Sequence, residues 1–316
     1  GKWEQISWDQ AISEVVSRLG DLRRQNKSET VACIASTDRG TVAQLFARFM
    51  KAYGSPNFVG GTSAEDTSEI AMELAQGKRA SVGFDLEKAN YILSFGSGII
   101  EGWGSPVRSI QAYSKWRSQN GGVTPTLVQV EPRLSNTAAK ADTWYPAKPG
   151  TEATLALGLA HVIIKESLYD SDFVQGSTSN FTEWQDMVLA RYSPEDVSGI
   201  TGLSADEITR LARAFAKADR PLAVWGRGKG TAPGSLYECM AILSLNALVG
   251  NMNQPGGVWI TPDNKDMGWP QIPQDAVAEN GLSKKRLDGA GTDKYPLAKY
   301  RPDALPGALN ENPDAV

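Results

Sequence analysis

The feature that most constrains this chain is a short apolar run with charged and rigid residues packed onto its end. Thr126 to Val130 reads Thr-Leu-Val-Gln-Val and is followed at once by Glu131-Pro132-Arg133. Five mostly β-branched or aliphatic residues, stopped by a proline, suit a buried parallel strand better than a helix. In an open α/β sheet the carboxyl edge is where ligands sit. A carboxylate there can accept two hydrogen bonds at once from a ribose or a base edge. Further on, Lys148-Pro149-Gly150-Thr151-Glu152 forms a tight turn that starts a helix over 152–165, with a second acid in its first turn. Acids on neighbouring loops, with a lysine and backbone donors around them, make a nucleotide clamp. The same residues also make a solvated Pro/Gly loop with its helix cap. Residue chemistry alone leaves both readings open.

Strands alternate with helices elsewhere, as a parallel sheet with crossover helices requires. A strand over 30–36 leads to a helix over 41–52, with Leu45, Phe46 and Phe49 on its buried face. A strand over 90–95 ends in Gly96-Ser97-Gly98, where small residues let backbone N–H groups approach phosphate oxygens. A strand over 221–225 feeds Gly226-Arg227-Gly228-Lys229-Gly230, a doubly basic turn suited to an anion; a flexible loop is the plain alternative. Ser7 to Gln10 reads as a capping box, followed by the stripe Ile12, Val15, Val16 and Leu19. Ser204 caps a second helix with Ile208, Leu211, Ala212 and Phe215 inward, and 236–249 is apolar enough to be buried all round. The lone His161, among Leu157, Val162 and Ile164, reads as packed or surface rather than catalytic. Cys33 and Cys239 both lie in apolar runs and read as core residues, with no iron–sulfur ligand spacing.

A length of 316 residues allows two domains or one large α/β unit. A net charge of -4 offers no basic footprint for nucleic acid. No apolar run approaches the ~18 residues of a membrane span. The opening Gly1-Lys2-Trp3 reads as an internal start, so the lack of a signal peptide speaks to no compartment. Beyond Pro262 the chain turns polar and rich in Pro, Gly and Asp, and 262–316 is expected to be an extended linker needing a partner surface.

Several of these stretches, in their order and spacing, resemble the molybdopterin-dinucleotide oxidoreductases, the dimethyl-sulfoxide-reductase and formate-dehydrogenase superfamily. They are the strand with Glu131-Pro132-Arg133, the set Thr137-Ala138, Ala141-Asp142 and Trp144, and Pro149-Gly150-Thr151-Glu152. Trp3 to Ala11, Gly54-Ser55-Pro56-Asn57, Phe95-Gly96-Ser97-Gly98 with Glu101, Gly226-Arg227-Gly228, Leu248-Val249-Gly250-Asn251 and Pro255-Gly256-Gly257 are similar in the same way. The likeness covers residues 1 to 260. It implies an α/β fold of two Rossmann-like parallel-sheet units, the second inserted into the first: 1–60 with 190–261, and 61–189. It implies a bis(molybdopterin guanine dinucleotide) centre with molybdenum or tungsten. The residues expected around it are Gly96, Ser97, Gly98, Glu101, Glu131, Arg133, Lys148, Gly150, Thr151, Glu152, Gly226, Arg227 and Gly228. Iron–sulfur clusters are expected outside this segment.

The resemblance places the protein ligand to the metal nearest Glu65, with Asp66 and Ser63 one and two steps away. No cysteine is available there. A carboxylate can ligate a hard high-valent ion, but the same run is a helix start with acids facing the macrodipole. Glu131 and Glu152 stand where the family usually has Asp, and Gly98 where it mostly has Asn. Each Asp-to-Glu change adds about 1.5 Å of reach in a site of strict geometry. The expectation is therefore a large, molybdopterin-like subunit of a membrane-associated, quinone-linked respiratory complex with a degenerate metal site. The molybdopterin-like subunit of menaquinone reductase complexes is a precedent. Its partners would be iron–sulfur and membrane-anchor subunits, with quinone reached indirectly, on the periplasmic side of the bacterial inner membrane. The alternative is an active molybdenum or tungsten enzyme acting on a small inorganic or one-carbon substrate. An emptied site would be filled by water or by indoles such as Trp103, Trp144 and Trp225.

Overall fold

The computed structural model describes residues 1–118, 124–226, 235–261 and 269–311. In chain order the elements are α1 (Trp8–Arg24), β1 (Cys33–Ile34), α2 (Thr41–Tyr53), β2 (Phe58–Val59), α3 (Ala64–Gln76), β3 (Ser81–Phe84), β4 (Tyr91–Phe95), α4 (Pro106–Arg117) and β5 (Thr126–Val130). Then follow α5 (Asn136–Lys140), β6 (Thr143–Tyr145), α6 (Glu152–Lys165), α7 (Ser171–Ser177), α8 (Phe181–Arg191), α9 (Pro194–Thr201), α10 (Ala205–Ala216), β7 (Pro221–Trp225), α11 (Ser235–Leu248), β8 (Val258–Thr261), α12 (Ala276–Leu282) and α13 (Leu305–Glu311). The fold is α/β with parallel sheets. Two compact units divide it: Gly1–Ser63 with Lys265–Val316, and Ala64–Asn264 between them in sequence.

The larger unit is built on a parallel sheet in the order β6-β5-β4-β7. Phe95 lies level with both Val130 and Trp225, and Val130 with Tyr145. All strands therefore end at one edge. Every residue of β4 and β7 is buried, which is why these strands are apolar throughout and do not alternate. Sheet-edge donors and acceptors are a liability unless covered. On β7 the side chain of Asn246, from α11, covers them. Its Oδ1 accepts from the Ala223 N–H at 2.9 Å, and its Nδ2 donates to the Ala223 carbonyl at 2.9 Å. Pro221 opens this strand, where a missing N–H costs least. Around the sheet, α6 packs against α8, α9, α10 and α11. Gly158 lets α9 approach, since a Cβ there would sit 2.9 Å from Val197 Cγ2. An antiparallel pair, β3 with β8, completes the unit.

The smaller unit has the parallel pair β1–β2 and a core of Val31, Met50 and Tyr53, with Leu19, Leu22 and Phe58 against it. Its later residues are not the extended linker expected over 262–316. They form α12 and α13, and Gly281 sits so close to Gly54 that a Cβ would lie 2.0 Å from the Gly54 carbonyl. The Leu287 N–H donates to Asn57 Oδ1 at 2.8 Å. The expected grouping of 190–261 with 1–60 also differs. Strand β7 pairs with β4, so its segment lies with 64–189, and the inserted unit runs to 264.

Three further expectations change. The strand over 30–36 shortens to Cys33–Ile34, because residues 28–30 wind into a 3-10 turn. The stripes of α1 and α2 are not buried: α1 has no buried residue, and Phe46 and Phe49 are 48% and 43% exposed. No element among the described residues covers them. The capping box at Ser7 is half formed, since Ser7 Oγ accepts from the Gln10 N–H at 3.1 Å while Gln10 Nε2 donates to Glu14 instead. No described helix is long and apolar enough to cross a membrane.

Candidate functional site

Gly96, Ser97, Gly98, Glu101, Glu131 and Gly226 gather where β4, β5 and β7 end, whereas Lys148 to Glu152 lie between β6 and α6 and Glu65 lies in α3. Gly96 turns the chain at φ 64°. A Cβ on Gly226 would lie 2.9 Å from the Gly96 carbonyl oxygen, so the two turns touch backbone to backbone. The Trp103 indole N–H donates to the Trp225 carbonyl at 3.0 Å, tying the loop after β4 to the end of β7. The Trp225 indole N–H in turn donates to Ser68 Oγ of α3 at 2.9 Å. Phe84 lies 5.3 Å and 4.9 Å from the two indole rings, and both indoles are buried. Arg227 and Gly228 lie outside the described residues.

Ser97 is fully buried. Its carbonyl accepts from Ser94 Oγ and Gln129 Nε2, each at 3.2 Å. Its own hydroxyl and Gln129 Oε1 have no hydrogen-bond partner among the described residues. The Gly98 carbonyl takes the N–H groups of Glu101, Gly102 and Trp103 at 2.8, 3.0 and 3.0 Å, which curls the loop back on itself. That curl aims the Glu101 carboxylate at the start of α5, where it accepts from the Asn136 N–H at 3.2 Å and Thr137 Oγ1 at 3.3 Å. An acid at a helix start is the electrostatically favoured arrangement.

Glu131 is also turned inward. Ser135, the N-cap of α5, donates its hydroxyl to the Glu131 carboxylate and accepts from the Ala138 N–H at 3.1 Å. The Trp144 indole N–H donates to the Glu131 carbonyl at 2.9 Å. Arg133 is exposed and makes no ion pair among the described residues. Lys148 reaches the end of α9: Nζ lies 3.4 Å from the Gly199 carbonyl, and its methylenes lie over Gly202. This is the cation-at-C-terminus pairing favoured by the helix dipole. Gly150 takes φ 77°, and Thr151 spends its hydroxyl on the Lys148 carbonyl at 2.6 Å. Glu152 is buried in the first turn of α6.

Glu65 is half-buried in the first turn of α3, beside buried Asp66. Burial, with the Glu238 charge adding, pushes Cys239 up to about 12. No group of three His, Cys, Asp or Glu side chains that could hold a metal occurs among the described residues. His161 is buried as expected, with Nδ1 3.4 Å from the Val188 carbonyl. A cavity of about 1030 Å³ opens between α6, α8 and α11, lined by Phe173, Trp184, Met187, Tyr192, Met240 and Met252; no expected site residue lines it. Sequence reasoning missed the link Trp103–Trp225–Ser68, and it missed Ser94 and Gln129, for which the available signal was a polar residue inside each apolar strand.

The family model for molybdopterin oxidoreductases matches residues 1–266. The chain belongs to the molybdopterin oxidoreductase family. It is 34% identical over 266 residues to the menaquinone reductase molybdopterin-binding-like subunit of Nitratidesulfovibrio vulgaris, covering 83% of this chain and 36% of that one. It is 27% identical to the arsenate respiratory reductase molybdopterin-containing subunit of a Shewanella species, covering 99% of this chain and 40% of that one. Acetylene hydratase from Pelobacter acetylenicus superposes with a TM-score of 0.67 at 27% identity, over 82% of this chain and 34% of its own. The chain thus spans between a third and two fifths of these relatives' length. The strand-end turns at Gly96 and Gly226 sit within the larger unit of this family member.

Proposed function

We propose that this molybdopterin oxidoreductase-family chain is part of the large subunit of a membrane-associated, quinone-linked respiratory complex, and that its own metal site is degenerate. The observation that carries the reading is the inward commitment of the site's acids. Glu131 is held by Ser135, and Glu101 caps α5. Lys148 lies along the end of α9, and the indole of Trp103 bridges to the end of β7. A bis(molybdopterin guanine dinucleotide) with molybdenum or tungsten needs hydrogen-bond acceptors and donors free at this edge and a ligand beside the metal. The residues as arranged do not fit it: the carboxylates of Glu101 and Glu131 are spent within the chain, and no cysteine stands beside Glu65, where the resemblance places the metal ligand. No step through the cofactor is therefore derived. In this reading the fold serves as a scaffold on which iron–sulfur and membrane-anchor subunits assemble, passing electrons to quinone at a distance, on the periplasmic side of the inner membrane. The 34% identity to a subunit named for menaquinone reductase supports the quinone-linked part of this reading.

A second reading is favoured by one observation. The Ser97 hydroxyl is fully buried, with no hydrogen-bond partner among the described residues, beside the touching turns at Gly96 and Gly226. In an active molybdenum or tungsten enzyme that hydroxyl would donate to a dinucleotide phosphate. Purification from source membranes in mild detergent tests the assembly. Iron–sulfur and membrane-anchor subunits should co-purify, and an impermeant protease should cut the chain in intact spheroplasts. Recovery of the chain alone, from the cytosolic fraction, would contradict the proposal.

A further inference from the structure

Helix α11 carries apolar residues on all sides, and a helix of that kind is expected to be covered all round. One of its sides meets a cavity instead. Tyr237, Met240, Ala241, Ser244 and Ala247 recur three or four positions apart, so they share one face of the helix, and they line the space of about 1030 Å³ against α6 and α8. Leu157 of α6 and Trp184 and Met187 of α8 line it from across. All of these residues lie in the larger unit, and among the described residues that line the cavity none is Asp, Glu, Lys, Arg or His.

The wall selects a class of ligand. An ion would sit in an apolar cavity without a counter-charge, which is costly, so the occupant is neutral. The rings of Phe173, Trp184 and Tyr192 offer flat surfaces, and the thioethers of Met187, Met240 and Met252 adapt to the shape between them. The polar groups fall into two sets. The hydroxyls of Ser244 and Thr178 are spent on the Met240 and Val174 carbonyls, at 2.8 and 2.7 Å. The Trp184 indole N–H and the hydroxyls of Tyr192 and Thr154 make no hydrogen bond among the described residues. An indole N–H is a donor only, so it calls for an acceptor on the ligand. We propose that this cavity binds a neutral, flat compound of two or more fused rings that carries a carbonyl oxygen. Apolar walls, a few polar groups and this volume are what small-molecule sites share. None of the lining residues belongs to the strand-end turns, so the site stands whether or not a cofactor or a quinone is involved.

The test uses the intact protein isolated from its source in mild detergent. The probe is prodan, a neutral naphthyl ketone whose emission moves to the blue in apolar surroundings. It should bind saturably at one site per chain. An acetylnaphthalene should displace it, whereas a naphthoate, an anion of matching size, should be at least about tenfold weaker. Ser244→Phe puts a ring into the cavity at a position whose hydroxyl serves only its own helix, and should weaken the probe at least about tenfold. Tyr192→Phe keeps the ring and removes one hydroxyl, and should weaken it about two- to tenfold. Urea midpoints of both variants report whether the unit stays folded. Absence of saturable binding in wild type, with no neutral ring compound in its solvent extract, would overturn the proposal; a protein segment already filling the cavity would give that result. Equal displacement by ketone and naphthoate would overturn it too, and so would unchanged affinity in both variants.

Discussion

A carboxylate one methylene longer than Asp, at the end of β5, reaches the N-cap of the next helix. Glu131 does so through Ser135, which makes one hydroxyl serve both a buried acid and the start of α5. Ser135→Ala should cost about 1–3 kcal/mol, from a buried acceptor left without its donor, together with the lost cap. Urea denaturation measures it; an unchanged midpoint would show that Ser135 supports neither group. Glu131→Asp should destabilise as well, because the shorter acid falls short of the hydroxyl. Cys239 makes the complementary point. With its thiol pushed up to about 12 by burial, Cys239 should resist alkylation of the native protein near neutral pH and react only on unfolding, as mass spectrometry would read. At this scale the sequence was informative about residue type and silent about direction. Glu131, Glu101 and Lys148 were legible as charged groups at a strand edge. Glu131 meets Ser135 within the same turn of sequence, but Glu101 finds Asn136 35 positions away and Lys148 finds Gly199 51 positions away, which no local spacing announces.

Among the elements, α10 shows a complete capping box. Glu207 accepts from the Ser204 N–H at 2.8 Å, and Ser204 Oγ accepts from the Glu207 N–H at 3.2 Å. The Ser204 hydroxyl and N–H hold the Glu207 carboxyl below the usual carboxylate range. A depressed native value means that this contribution is present above the unfolded value and is lost as pH falls through the native one. Ser204→Ala should therefore cost about 1 kcal/mol near neutral pH and less once Glu207 is protonated. A penalty that grows on acidification would contradict the box. Gly226→Ala should cost about 1–3 kcal/mol, because its methyl meets the Gly96 carbonyl. Strands β4, β5 and β7 and helices α6 and α10 were legible because propensity and burial pattern agree in each, and α10 adds its capping box. The stripes of α1 and α2 were equally legible as amphipathic; what they face was not, since exposure depends on which neighbours are present. Pairing of β7 with β4 escaped for a related reason: it joins segments 130 positions apart in sequence, as does the bond from the Arg220 N–H to Asn90 Oδ1 beside it.

Across the whole molecule, the division into two units has a measurable consequence. The large core spans the parallel sheet and α6, α10 and α11, whereas the small unit's core is Val31, Met50 and Tyr53. Native-state hydrogen exchange should accordingly be slowest in β4, β5 and β7 and fast along α1, which buries no residue. The central claim, a family fold whose cofactor edge is folded in on itself, is most directly tested by metal and pterin content. The intact protein, purified from its source without chelators, should be assayed for molybdenum and tungsten by mass spectrometry and for pterin by fluorescence after oxidative release. The account expects both far below one equivalent per chain. Stoichiometric metal accompanied by pterin would contradict it, and would assign the buried Ser97 hydroxyl and the turns at Gly96 and Gly226 to a working cofactor site.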